Sequence, residues 1–308
     1  MKLLFFLAAL LSAPDALAQL ELRVSVKMIL DANGNRATNG NLMTDTQVRN
    51  FVQRANTILD ATGRGYRYQL TEITNVAGIS QWFTSDRTNS VALETAAEAN
   101  KSLYLYRDNA INAYINGWDG TAVCSFPSDP EGGNDILFFG KASVETSFGH
   151  EGGHYFDLRH TFEGEKFLNA DNSPCNANDC TCALWVAGNG DQIVDTRNDH
   201  ECWKTQDEIA GGNYGVNYGA PGSNDAVVDQ IYFNLMSYRT TVRDRFTDDQ
   251  MDRFTDTSNS LRFKVATGRT RFVANDGNDL TGDGSSKNRY NKLVSCERNK
   301  LHKVGANV

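Results

Sequence analysis

Three of the chain's five histidines, His150, His154 and His160, lie within the short stretch Ser147 to Phe162, which reads SFGHEGGHYFDLRHTF. His150 and His154 are four positions apart, so on a helix both imidazoles leave the same face about one turn from each other. That spacing lets two ring nitrogens reach one Zn²⁺ at about 2.0–2.1 Å. Glu151 follows the first histidine and points across to the open side of such an ion, where it can take a proton from bound water. His160 brings a third nitrogen if the chain turns back after Phe156. Three neutral imidazoles leave the ion its full charge and one vertex for water, whose pKa then falls to about 7. The chemistry implied is hydrolysis of a metal-polarised carbonyl, with Glu151 as the base.

Those side chains need a helix, a sharp turn and a rigid backing. Periodicity predicts the helix from about Ala142 to Phe156, with Val144, Phe148 and Tyr155 as its apolar stripe. Upstream, Glu21 to Leu30, Tyr66 to Ile73, Ala110 to Ile115 and Asp135 to Phe139 read as strands. Thr44 to Asp60 places Val48, Phe51, Val52, Ala55, Ile58 and Leu59 on one face, an amphipathic helix that lies on a sheet. A shorter helix is expected from Val91 to Lys101. From Thr161 to roughly Val227 the chain is rich in Gly, Asn, Asp and Cys with little periodicity, which predicts loops. Thr247-x-x-Gln250 has the form of a capping box, and Met251, Phe254 and Leu261 then face one way.

The 308 residues are 40% apolar and 22% charged, enough for a packed core and unlike a disordered or low-complexity chain. A net charge of −8 opposes binding to nucleic acid. No internal stretch approaches the ~20 uninterrupted apolar residues that span a bilayer. At the amino terminus, Lys2, the apolar run Leu3 to Leu11 and the small-x-small pattern Ala16-Leu17-Ala18 read as a secretory signal peptide over residues 1–18. The protein is therefore expected to be secreted and extracellular. Only Gln19 and Leu20 separate that cleavage point from the first strand, so no sizeable propeptide is expected.

Export gives the six cysteines a default use in disulfides: Cys124, Cys175, Cys180, Cys182, Cys202 and Cys296. Their pairing is open, since six cysteines allow 15 connectivities. A metal knuckle on Cys175, Cys180 and Cys182 is the alternative, although that spacing matches no usual zinc hairpin.

The stretch from His150 to His160 resembles the metzincin zinc-peptidase signature H-E-x-x-H-x-x-G-x-x-H, departing at Asp157, where the family has Gly. That position needs positive φ for the chain to turn toward its third ligand, and Asp tolerates the region better than most residues. A second resemblance is Asn234-Leu235-Met236-Ser237-Tyr238, similar to the Met-turn beneath the zinc of these enzymes. It implies that Met236 is a packing floor under the imidazoles and that Tyr238 approaches the metal to stabilise an oxyanion. Within the metzincins the chain looks most like the pappalysin family. The matching pieces are His160-Thr161-Phe162, the Gly190-to-Thr196 segment (with Arg197 in place of Pro), Asn234 to Tyr238, and Phe246 to Gln250. The resemblance implies an α+β, zincin-like catalytic domain over residues 19–265. Its parts would be a twisted, mainly parallel sheet, an active-site helix, and a loop-rich, disulfide-pinned lower subdomain from residue 161. It further implies a zinc endopeptidase acting on proteins or peptides, with Ca²⁺ a candidate at Asp191, Asp195 and Thr196. Ala110 to Ile115 is the candidate edge strand for an extended substrate.

A thermolysin-like variant would use Glu163 or Glu165 as third ligand, but both lie too near His160 for the separate helix which that arrangement uses. Residues 266–308 form a basic tail: from Leu261 on, ten Lys or Arg face four Asp or Glu. Thr270 to Ser285 looks like the opening of a right-handed β-helix, cut too short to stack coils, or a simple Gly-Asp turn. Two other functions therefore stay open, a catalytically inactive zincin-fold binding or adhesion protein and a polysaccharide-surface protein acting through its tail.

Overall fold

The computed structural model describes residues 20–124, 126–127, 135–164, 166–169, 171, 173, 184–186, 189–196, 233–238, 243–267, 293–294 and 303–304. Strand β1 (Leu20–Ile29) is buried along nearly its whole length, as expected of a strand covered on both faces. It pairs in parallel with β2 (Tyr66–Val76) on one side and β3 (Ile111–Ile115) on the other. β5 (Ile136–Phe139) continues the parallel set beyond β3. The short β4 (Ala122–Val123) then adds antiparallel to β5 and closes the order β2-β1-β3-β5-β4. The architecture is α+β around a mainly parallel sheet. Ala266 and Thr267 form β8, antiparallel to the start of β1, so the sheet takes in the first two residues of the basic tail.

The order corrects one expectation. Ala110 to Ile115 is not the edge: β3 lies between β1 and β5, and all five of its residues are buried. Its one polar side chain, Asn112, does not face solvent but is buried, accepting from Lys27 Nζ and donating to the Arg107 carbonyl. Among the described residues the edge on that side is β4.

On one face of the sheet, Leu22, Val24, Val26 and Met28 of β1 meet helix α1 (Asp45–Ala61) and helix α4 (Ser147–Tyr155) in a single apolar core. α1 begins with a complete capping box between Thr44 and Gln47, and its predicted apolar face is buried. The opposite face is covered by α2 (Ser90–Ala99) and α3 (Lys101–Tyr104), whose Leu93, Ala97 and Tyr104 pack with Ile29, Tyr114 and Phe138. Among the described residues no helix is long and apolar enough to cross a membrane.

α4 starts five residues later than periodicity predicts. The Ser143 hydroxyl donates to the carbonyls of Gly140 and Thr121, and the Ser147 hydroxyl accepts the N–H of Val144. These bonds hold residues 143–147 as a turn, and Val144, expected in the apolar stripe, is 38% exposed. β6 (Lys166–Leu168) and β7 (Leu184–Val186) form a small antiparallel ladder beyond the centre. The last helix, α5 (Asp248–Asn259), has its capping box at Thr247 and Gln250 and buries Met251 and Phe254. It stops before Leu261, which is 60% exposed rather than on the buried face.

Candidate metal centre

α4 presents His150 and His154 from one face, both buried. Its end is a Schellman closure around Asp157: the Asp157 N–H donates to the His154 carbonyl at 2.9 Å and the Leu158 N–H to Gly153 at 2.9 Å. Asp157 takes φ of 67°, the left-handed conformation that its position demands. The turn then carries His160 back onto the other two histidines. Nε2 of His160 lies 3.1 Å from Nε2 of His154 and 3.3 Å from Nε2 of His150.

The opposite ring nitrogens explain what those three atoms are for. Nδ1 of His150 meets the Leu235 carbonyl at 2.7 Å, and Nδ1 of His154 meets the Leu158 carbonyl at 2.7 Å. A carbonyl only accepts, so both Nδ1 atoms carry the proton and both Nε2 atoms present lone pairs. Nδ1 of His160 faces the Glu163 carboxylate at 3.5 Å. Burial first, and then the neighbouring imidazoles, hold His150 and His154 well below the ordinary histidine range, so both rings are neutral. Lone pairs this close repel unless a cation lies between them. Tetrahedral bonds of about 2.0–2.1 Å would separate such nitrogens by roughly 3.3–3.4 Å, close to the spacing present. The donor set therefore fits zinc.

Glu163 is not a ligand; it orients His160, and that hydrogen bond holds its own carboxyl below the usual range. This is the outer-shell carboxylate that ligating histidines commonly use. Glu165 lies outside the described residues. Glu151 is buried beside the cluster, and burial pushes its carboxyl up to about 8, against the opposing pull of Arg243 and the Cys124 backbone N–H.

The segment Asn234–Tyr238 runs beneath the helix. Asn234 accepts the Met236 N–H at 2.9 Å, and its amide donates to Gln250 at 2.9 Å, tying the turn to the capping box of α5. Met236 is fully buried, and a Cβ added at Gly153 would come within 2.5 Å of its sulfur. Tyr238 is 47% exposed, its ring centroid 4.8 Å from that of His160 and 5.8 Å from that of His150.

Asp191, Asp195 and Thr196, the candidate calcium residues, have partners within the protein. Asp191 accepts from the Gln250 amide at 2.8 Å and, mainly through burial, is raised to about 6. Asp195 accepts the Asp249 N–H at 3.0 Å, and the Thr196 hydroxyl lies 3.4 Å from that of Thr247. All three brace α5. Of the cysteines, Cys124 is buried next to Glu151, whereas Cys175, Cys180, Cys182, Cys202 and Cys296 lie outside the described residues, as do residues 1–18.

Residues 138–259, which include His150, Glu151, His154, His160 and Glu163, match the peptidase M43 family model, described as Pregnancy-associated plasma protein-A. Over that span the chain is similar to the pappalysin-type metzincins. Its segment includes the three histidines, the Met236 turn and α5. Similar solved structures include mature mirolysin of Tannerella forsythia in complex with a cleaved peptide, 16% identical, covering 80% of this chain and 96% of that one with a TM-score of 0.47. A chaperone–substrate complex is 11% identical, covering 49% of this chain and 29% of that one with a TM-score of 0.29. Both likenesses are distant. No curated protein matches the chain.

Two residues of this pappalysin-like centre are not legible from spacing. Phe126 packs edge-on against His154 with centroids 4.9 Å apart. Arg243 reaches the centre from the far side of the Met236 turn. No local pattern marks either one, because their partners lie far away in the chain.

Proposed function

We propose that this metallopeptidase-type protein is a secreted zinc endopeptidase using Glu151 as general base. The observation that carries the reading is the convergence of three Nε2 atoms while each Nδ1 is oriented by an acceptor behind it. When bound there, zinc supplies Lewis acidity, polarising a peptide carbonyl and lowering the pKa of a water at the free vertex to about 7.

The chain's own residues do the rest. Glu151 accepts the proton of the attacking water and passes it to the departing amine nitrogen, so the base is regenerated with each turnover. Its burial favours the neutral acid, whereas a nearby dication and Arg243 favour the carboxylate needed to start. Tyr238, at the rim, is placed to donate its hydroxyl proton in a hydrogen bond to the oxyanion. β4 is the edge on which an extended peptide adds as a further strand. It leads directly into Cys124, whose N–H holds Glu151, so the substrate backbone is brought alongside the base. Secretion rests on the amino-terminal pattern of residues 1–18.

The test is cleavage of a mixed peptide library by the purified protein, with and without chelator, alongside Glu151→Ala. Chelator-sensitive cleavage that disappears in Glu151→Ala while zinc still binds is the expected result. Full activity in that variant refutes the base. Zinc binding without cleavage of any peptide favours the adhesion reading instead.

A further inference from the structure

Arg243 joins three parts of the centre that are distant in sequence. Its Nη1 donates to the Ser237 carbonyl and lies 3.4 Å from the Leu235 carbonyl. Its Nη2 donates to the Thr146 hydroxyl at 3.2 Å. Nη1 also comes within 3.4 Å of Nδ1 of His150. The Leu235 carbonyl is the atom that fixes the His150 ring, so the guanidinium shares an acceptor with the first ligand. Thr146 immediately precedes α4 and gives that helix no side-chain cap; its hydroxyl serves Arg243 instead.

We propose that Arg243 is a positioning residue for His150. One planar guanidinium spans the turn on both sides of Met236 and pins it to the start of the ligand-bearing helix. That sets the distance from the Leu235 carbonyl to the imidazole and keeps Nε2 aimed at the ion. A guanidinium suits the task because its donors leave in fixed, divergent directions, whereas an ammonium offers one compact point of charge. Arg243 touches neither the ion nor the substrate in this scheme. The proposal rests on the zinc reading above, and its experiment separates the two.

Zinc affinity is measured by chelator competition, and the d–d spectrum recorded for the cobalt-loaded protein, in the native chain, Arg243→Met, Arg243→Lys and Thr146→Val. Loss of an outer-shell partner typically weakens metal binding by about 10–100-fold, and that range is expected for Arg243→Met, with an altered cobalt spectrum and a fall in kcat larger than any change in KM. Arg243→Lys is expected to restore only part of the affinity. Thr146→Val, which keeps the arginine and loses one acceptor, is expected to shift the spectrum and affinity the same way by less. Unchanged affinity and spectrum in Arg243→Met, or in Thr146→Val should the first variant not fold, overturn the proposal, as does full rescue by lysine. A native chain that binds no zinc overturns the proposed function itself, and this inference with it.

Discussion

Helices α4 and α5 belong to the same pappalysin-like segment, with Phe156 at the end of α4 packed on Phe254 of α5 at 4.0 Å between ring centroids, and are specified in opposite ways. α5 carries its own instructions: a reciprocal capping box at Thr247 and Gln250, Asp248 and Asp249 in the first turn where they complement the helix dipole, and Met251 and Phe254 buried on one side. α4 has almost none of these. It contains Gly149, Gly152 and Gly153, has no side-chain cap, and buries all nine of its residues. Each interior glycine lowers intrinsic helix stability by about 1 kcal/mol relative to alanine. The helix that holds the ligands is therefore the one least able to form alone, and its neighbours supply what it lacks. Tyr68 sits where a Cβ on Gly152 would go, and Met236 where one on Gly153 would go. Arg262 donates to the Tyr155 carbonyl at 3.0 Å and pairs with buried Asp135, closing the far end. A ligand helix thus gains close backbone approach to the turn beneath it and gives up local stability in exchange.

The contrast can be broken or sharpened by substitution. The largest effect is expected on α4 chemistry: Glu151→Gln should lower kcat by roughly 10²–10⁴-fold at unchanged zinc content, measured by steady-state kinetics and metal analysis. Gly153→Ala comes next and tests the sign of the argument. Propensity alone predicts stabilisation by about 1 kcal/mol, but contact with the Met236 sulfur should turn this into a loss of about 1–3 kcal/mol, read by urea unfolding of the metal-free protein. A stabilised Gly153→Ala would remove the case for close packing. Thr247→Ala deletes the cap of α5 and should destabilise the fold by about 1 kcal/mol while zinc affinity stays the same. Asp157→Gly should have the smallest effect, a gain of at most about 1 kcal/mol from relief of positive φ, visible as a small rise in melting temperature.

Much of the molecule was readable in advance because the signals are local. The four-residue spacing of His150 and His154, the turn demanded at Asp157, the capping box at Thr247 and the apolar face of α1 each depend on residues within a turn or two. The misreadings share one origin. Ala110 to Ile115 alternates like an edge strand but lies inside the sheet, since alternation does not say which strands pair on either side. Val144 and Leu261 continue helical stripes beyond points where hydrogen bonding has already ended the helix. Glu163, set aside as a ligand because it lies too near His160, stands behind that ring, a role that spacing does not specify.

From the residue string came the kind of chemistry, a three-histidine site with an acid next to its first ligand, because a helix converts spacing directly into direction. Whether the rings converge, which atom of each faces inward, and what holds them there was decided by the fold. Leu235 orients a histidine 85 positions away, and Arg243 reaches a threonine 97 positions away. Such contacts form only when long loops close, and no short-range pattern encodes a partner at that separation.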